Sequence, residues 1–179
     1  MKVIETDRLI LRTWKEEDGD AYWQINQDPK VIEFLLGSMS KAQIESFIQN
    51  CNKGFEKKQF CLFAVELKEN HELIGFIGLS TPQWEAHFTP AIEVGWRLGS
   101  QYWGMGYATE GAKAVLEYGF HTLNLAEIVS FTARLNIRSI QVMERIGMKR
   151  DVRDDFVHPK LDLQHPLSKH VLYRIQKER

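Results

Sequence analysis

Gln101-Tyr102-Trp103-Gly104-Met105-Gly106-Tyr107-Ala108 joins two segments of different periodicity. Ala91 to Leu98, before it, is an apolar run of strand length. After it, Ala108, Ala112, Val115, Leu116, Gly119, Phe120 and Leu123 fall on one helical face. Strand, glycine-spaced turn and helix N-terminus together form an anion site. The first N–H groups of a helix lack partners within it and lie at the positive end of its dipole. Glycine lets that backbone approach a phosphate, because no Cβ stands between them. The stretch predicts a phosphorylated ligand. The bland alternative is a tight connection in which Gln101, Trp103 and Tyr107 only pack or cap.

The bulk properties narrow the class. The 179 residues suit one domain spanning 1–179, large enough to bury a substantial core. Lys and Arg number 23 against 24 Asp and Glu, interspersed, so nothing points to nucleic acid or a membrane surface. No apolar run approaches the roughly 18 residues of a membrane span. The start Met1-Lys2-Val3-Ile4-Glu5 lacks the apolar core of a signal peptide. Cys51, on the apolar stripe of a predicted helix, and Cys61, in a predicted strand, read as buried free thiols. A cytoplasmic location is expected. His158, His165 and His170 fit no zinc spacing, so no metal is expected.

Periodicity gives the order of elements. Arg8 to Thr13 alternates as an edge-like strand would. Asp18 to Gln27 reads as a short helix stopped near Asp28-Pro29, because the residue before proline avoids helical geometry. Ser40-x-x-Gln43 is a capping-box pattern opening a helix to about Lys57, with Ile44, Phe47, Ile48, Cys51 and Phe55 at helical spacing. Phe60–Leu67 and Leu73–Leu79 read as a hairpin. A strand over Glu127–Thr132 precedes a helix that starts at Asn136 and ends at Gly147. Two last strands are expected near Lys149–Phe156 and Lys169–Ile175. The β-α-β unit from Ala91 to Thr132 makes two parallel neighbours in an otherwise mostly antiparallel sheet.

Three readings compete for the glycine turn. A dinucleotide fingerprint needs a third glycine or alanine where Thr109 stands, and Arg8 to Leu79 lacks alternating βαβ units. A P-loop needs Gly-Lys-Ser/Thr, which is absent. Gln101-x-x-Gly104-x-Gly106-x-Ala108, by contrast, resembles the pyrophosphate motif of the GNAT superfamily of acetyl-CoA-dependent N-acetyltransferases. Glu93-Val94-Gly95-Trp96-Arg97-Leu98 resembles the strand before that motif. Tyr102 to Glu110 and the opening Glu5 to Arg12 are similar to the RimJ/RimL-like branch, which acetylates protein N-termini and related amines. Asn136-x-x-Ser139 with Glu144-Arg145-Ile146-Gly147-Met148 is similar to the helix after the next strand. Three linked segments in the right order, covering nearly the whole chain, carry the resemblance.

The resemblance implies an α/β (α+β) fold: a mixed, mostly antiparallel sheet of about seven strands with a parallel central pair, flanked by about four helices. It implies that the Ala91–Leu98 and Glu127–Thr132 strands splay to admit the pantetheine arm of acetyl-CoA. Trp96 and Leu98 would meet pantetheine and thioester through their backbone. Gln101, Trp103, Gly104, Met105, Gly106, Tyr107, Ala108 and Thr109 would hold the pyrophosphate, and Asn136 and Ser139 would face the pantetheine region.

Acetyl transfer to an amine needs a polarised carbonyl, a proton acceptor for the amine and help for the departing thiolate. Glu93, a carboxylate in an otherwise apolar strand, is the candidate base, since burial raises its pKa. Its alternative role is a salt bridge with Arg97, two pairs along the same strand face. Many superfamily members carry a tyrosine as acid where this chain has Met143, which cannot donate. The RimL-like pattern implies Ser139 instead, with helix capping or a hydrogen bond to CoA as alternatives. No cysteine is placed for a covalent route, so direct transfer to a primary amine is expected. The acceptor would be a protein N-terminus or a small molecule. A rival reading keeps the glycine turn and Asn136 in a non-catalytic acyl-CoA-binding module. An antiparallel edge strand could also pair in a homodimer.

Overall fold

The structure, a computed structural model, describes residues 1–178. Leu9 and Leu11 alternate inward along β2 (Leu9–Arg12) and are fully buried. β2 is not at the edge as expected. β1 (Lys2–Glu5) pairs antiparallel outside it, and β3 (Leu62–Leu67) lies on its other side. Arg12 points to the other face, where its buried guanidinium meets Asp18 at 2.7 and 2.8 Å and Glu66 at 2.7 Å. Removing one partner of such a buried set costs about 3–5 kcal/mol. The network pins α1 (Asp18–Ile25) to the sheet.

Asp28-Pro29 ends one helix region and begins another. The Asp28 side chain accepts from the Lys30 amide at 2.9 Å and caps a short α2 (Pro29–Ile32), with proline in its first turn. This helix was not expected. The capping box at Ser40 and Gln43 forms with both bonds, at 3.2 and 2.8 Å, and opens α3 (Lys41–Lys58). Ile44, Ile48, Cys51 and Phe55 bury its apolar stripe. Tyr22, Phe47 and Phe76 stack α1 and α3 on the sheet, with ring centroids 5.3 to 6.1 Å apart.

β3 and β4 (Leu73–Ser80) form the expected hairpin, and β5 (Glu93–Leu98) runs antiparallel to β4. α4 (Tyr107–Glu117) lies on the opposite face from α1 and α3. Its Gly111 admits Ile77, since a Cβ there would come within 2.4 Å of that side chain. A π-helical turn (Tyr118–Thr122) extends α4 towards β6 (Glu127–Ala133). β5 and β6 are parallel, as the β-α-β unit requires. α5 (Ile137–Arg145) follows, and Gly147 takes the left-handed φ of +89° after it.

The strand expected over Lys149–Phe156 is broken. Asp151 accepts from the Arg153 amide at 3.0 Å and caps a 3-10 turn over Val152–Asp154. The turn leaves β7 (Lys149–Arg150) and β8 (Phe156–Val157), both antiparallel to β9 (Lys169–Gln176). Among the described residues the sheet thus has nine strands in the order β1-β2-β3-β4-β5-β6-β9-β7, with β8 also on β9. The added strands are β1 and the second half of the split pair.

Phe88, Val129 and Leu172 form a second core, with Trp84, Phe131 and Phe156 packed against it. His158 and His170 stack on this group, 5.0 Å from each other and 4.9 and 5.5 Å from Trp84 and Phe156. Burial drives the His170 imidazole down to about 4. These histidines pack between the last strands. Cys51 and Cys61 are free and buried, and burial pushes the Cys51 thiol up to about 12 and Cys61 higher. No helix among the described residues is long and apolar enough to cross a membrane.

Candidate active site

Gly104 and Gly106 adopt φ of +76° and +83°, a conformation an L side chain resists. The turn is clamped from β2's end of the sheet. The Thr6 hydroxyl and the Arg8 amide donate to Glu110 Oε1 at 2.6 and 3.0 Å, and Arg8 Nε donates to Oε2 at 2.7 Å. Arg8 Nη1 donates to the Met105 carbonyl at 2.9 Å, and the guanidinium lies 4.4 Å from the Tyr107 ring centre. Burial works against the Glu110 charge, but Thr6 and Arg8 outweigh it and hold the carboxyl below its usual range. No side chain caps Gly106, the residue before α4, so the first N–H groups of α4 stay available to a ligand.

A cleft of ≈790 Å³ opens beside this turn, within the range of small-molecule sites. Trp96, Leu98, Trp103, Gly104, Gly106, Tyr107, Ala108, Thr109, Asn136 and Ser139 border it, each expected from the sequence. Gln101 and Met105 do not. Both side chains are exposed, and Met105 contributes a carbonyl to the Arg8 clamp. The Trp103 indole donates to the Leu98 carbonyl at 2.9 Å, which fixes the turn's first residues against β5.

β5 and β6 share a single paired position, Glu93 with Val129, and part beyond it. The Val129 amide donates to Ile92 at 2.9 Å, and the Ser130 hydroxyl to the Val94 carbonyl at 2.8 Å. Backbone groups of alternate strand residues point the same way. The N–H of Val94 completes the Glu93–Val129 pairing, and those of Trp96 and Leu98 face the gap where the strands diverge.

Glu93 stands at the closed end of that gap, on the face away from α4, and does not border the cleft. Part of the residue remains accessible, yet protein atoms crowd its carboxyl. Burial pushes it up to about 8, only partly opposed by the Ser80 hydroxyl, which donates to Oε2 at 3.3 Å. The Glu93–Arg97 salt bridge does not form. Arg97 Nη1 turns instead to Asn26 Oδ1 at 2.6 Å and to the Tyr22 hydroxyl at 3.4 Å.

Asn136 caps α5. Its Oδ1 accepts from the Ser139 amide at 3.3 Å, and its Nδ2 donates to Thr132 Oγ1 and Ser139 Oγ, both at 3.1 Å. Ser139 Oγ accepts here, which leaves its own proton for a group in the cleft. Met143 is buried in the core and cannot serve the cleft.

Several lining residues were not expected. Lys30, Val31 and Leu35 come from α2 and the segment after it, beside Phe34, whose aromatic ring near the first helices already made it a candidate, and Arg97 comes from β5. Lys113, Arg138, Val142 and Arg145 also line it. On α4 and α5 a spacing of three or four residues from Thr109 and Ser139 would have found Lys113 and Val142, and one further step of three reaches Arg145. Arg138 crosses the cleft mouth to Glu33 at 2.7 Å and lies 4.4 Å from the Trp103 ring centre.

Comparison with known proteins agrees with this geometry. A family model for the acetyltransferase (GNAT) domain matches residues 8–149. The chain is 34% identical over 149 residues to an uncharacterized N-acetyltransferase, YnaD, of Bacillus subtilis, covering 83% of each. It superposes on a GNAT-family acetyltransferase from Bacillus anthracis with a TM-score of 0.77 at 27% identity, covering 97% of each chain. It also shares its fold with RimL, a ribosomal α-N-protein acetyltransferase solved with coenzyme A, at a TM-score of 0.80 and 14% identity, covering 99% and 98%. The chain belongs to the GNAT acetyltransferase family and is an acyltransferase of that type.

Proposed function

We propose that the chain moves the acetyl group of acetyl-CoA directly to a primary amine, in the manner of the RimJ/RimL-like branch. The observation that carries this is the parting of β5 and β6 at Glu93 and Val129, beside an uncapped helix N-terminus. The pyrophosphate rests on the turn 101–108, and the pantetheine arm follows the gap towards Asn136.

The amine nitrogen attacks the thioester carbonyl carbon. A carbon–nitrogen bond forms, the carbon–sulfur bond breaks, and the electron pair leaves with sulfur. N–H groups of β5 facing the gap stabilise the negative oxygen in between. Glu93, directly or through water, takes the proton the amine loses; a carboxylate with a pKa of about 8 accepts it more readily than an ordinary one. Ser139 donates a hydrogen bond to the departing sulfur. Cys51 and Cys61 lie outside the cleft lining and hold their protons, which favours direct transfer over a covalent intermediate.

Thiol release from acetyl-CoA with a panel of amines, for wild type and Glu93→Gln, tests this. Amine-dependent release that falls with the substitution supports it. Tight CoA binding without turnover on any amine would leave a non-catalytic acyl-CoA-binding module.

A further inference from the structure

Arg97 is the one lining cation of the cleft held by buried neutral partners. Its strand neighbours on either side, Trp96 and Leu98, face α4 together with Ile77 and Gly75's strand. Arg97 faces the other way, over the Phe76 ring and against α1, with its guanidinium carbon 5.5 Å from that ring centre. It therefore lies on the side of the sheet away from the proposed CoA site, yet borders the cleft together with Val31, Phe34 and Leu35.

All its polar contacts fall on one nitrogen. Nη1 donates to Asn26 Oδ1 at 2.6 Å, to the Tyr22 hydroxyl at 3.4 Å and towards Met39 Sδ at 3.6 Å. Asn26 and Tyr22 are fully buried, and Asn26 is itself fixed by a bond from Nδ2 to the Tyr22 carbonyl at 2.7 Å. None of these partners is an anion, and Arg97 has no carboxylate partner among the described residues. Nε and Nη2 have no partner either, and no buried side-chain nitrogen among the described residues lacks one, so both reach accessible space. Nε and Nη2 form the side of the guanidinium that grips a carboxylate with two parallel bonds. The acids around the cleft are engaged: Glu110, which lines it, is held by Thr6 and Arg8, Asp28 accepts from Ser100 and the Lys30 amide, and Glu33 pairs with Arg138.

We propose that Arg97 anchors a carboxylate on the acceptor, so that the amine acetylated belongs to an amino acid or a similar molecule carrying both groups. This rests on the acetyltransferase reading above. Glu93 and Arg97 share one strand face four residues apart, about 13 Å between Cα atoms at the usual rise. Glu93 Oε1 leans along the strand to 3.8 Å from the Cβ position of Gly95, which shortens that span, so an acceptor carrying both groups can present its amine towards Glu93, directly or through water, and its acid towards Arg97. A single guanidinium balances one negative charge, which favours carboxylate over a phosphate dianion. A fixed cation also repels a polyamine.

The test measures binding to the CoA-saturated enzyme by calorimetry, and turnover, with matched acceptors. The pairs are alanine and ethylamine, phenylalanine and 2-phenylethylamine, and O-phosphoethanolamine and ethanolamine, with spermidine alongside. The expected result is at least about tenfold tighter binding of the acid member in a carboxylate pair, as a charged hydrogen-bonded contact provides. Arg97→Gln should remove that preference and raise the acceptor KM, while the KM for acetyl-CoA stays. Asn26→Asp keeps the guanidinium but neutralises it, and should weaken the preference without loss of Arg97. Arg97→Lys should keep part of it. Equal binding within every pair, a preference confined to the phosphate pair, tighter spermidine, or a preference that survives Arg97→Gln would each overturn the assignment. If no amine is acetylated, the transfer reading fails while the binding ratios still decide the role of Arg97.

Discussion

The two halves of the cleft are built from different parts of the chain. The half beside α4 is mostly backbone: glycines at positive φ, an uncapped helix start and strand N–H groups left free by the parting of β5 and β6. The half beside α1 and α2 is side chain: Arg97 held by Asn26, with Glu93 just outside the cleft at the closed end of the gap. Backbone recognises a constant chemical group and tolerates side-chain change around it. Side chains read what varies. On the function proposed above, the first half would hold a donor common to the family and the second would read the acceptor.

Breaking the acceptor half should stop chemistry and spare donor binding. Glu93→Gln is expected to lower kcat by about 10²–10⁴-fold with little change in the KM for acetyl-CoA, read by steady-state thiol release. Breaking the donor half should do the reverse. Gly106→Val places a β-branched residue at φ +83° and costs about 1–2 kcal/mol, which predicts roughly 5–30-fold weaker CoA binding by calorimetry. Residual turnover at saturating acetyl-CoA should stay near wild type. Ser139→Ala removes one hydrogen bond to a sulfur that gains negative charge as it departs and should slow kcat about tenfold. A slower leaving thiol should enlarge that effect; an effect confined to CoA binding would instead make Ser139 a donor-half residue.

The same contrast governs what could be read in the sequence. Gly104 and Gly106 announce themselves because a tight turn before a helix favours glycine, and Asn136 as a helix start, whereas Ser139 is legible only through the family resemblance. The parallel pair followed from the β-α-β unit alone. Thr6, Arg8 and Glu110 form a clamp across more than 100 positions, and only the structure shows why the opening segment accompanies the turn. Asp28-Pro29 signals a stop, but an aspartate before proline is equally a helix start, and the sequence alone does not separate the two at α2. Strand faces repeat every two residues, which sets Arg97 on the same face as Glu93. That rule gives the face but not which way a long side chain bends along it, and Asn26 supplies an acceptor that strand periodicity cannot reveal. Acceptor-side residues come from separate elements with no shared spacing, which is why that half stayed illegible.

Ionisation of Glu93 links the site to pH. The folded state holds its proton up to about 8, above the ordinary carboxylate value of 4.5. The unfolded chain therefore releases a proton first, and this group's cost to stability grows as pH rises from 4.5 to about 8. Activity should move in the opposite sense, because only the ionised carboxylate accepts a proton. The most direct measurement is single-turnover acetyl transfer against pH for wild type and Glu93→Gln with one acceptor. The wild-type rate should climb about tenfold per pH unit and level off near 8, and the variant should be slow and lack that step. An identical rise in both proteins would place the titrating group on the acceptor and contradict Glu93 as the base.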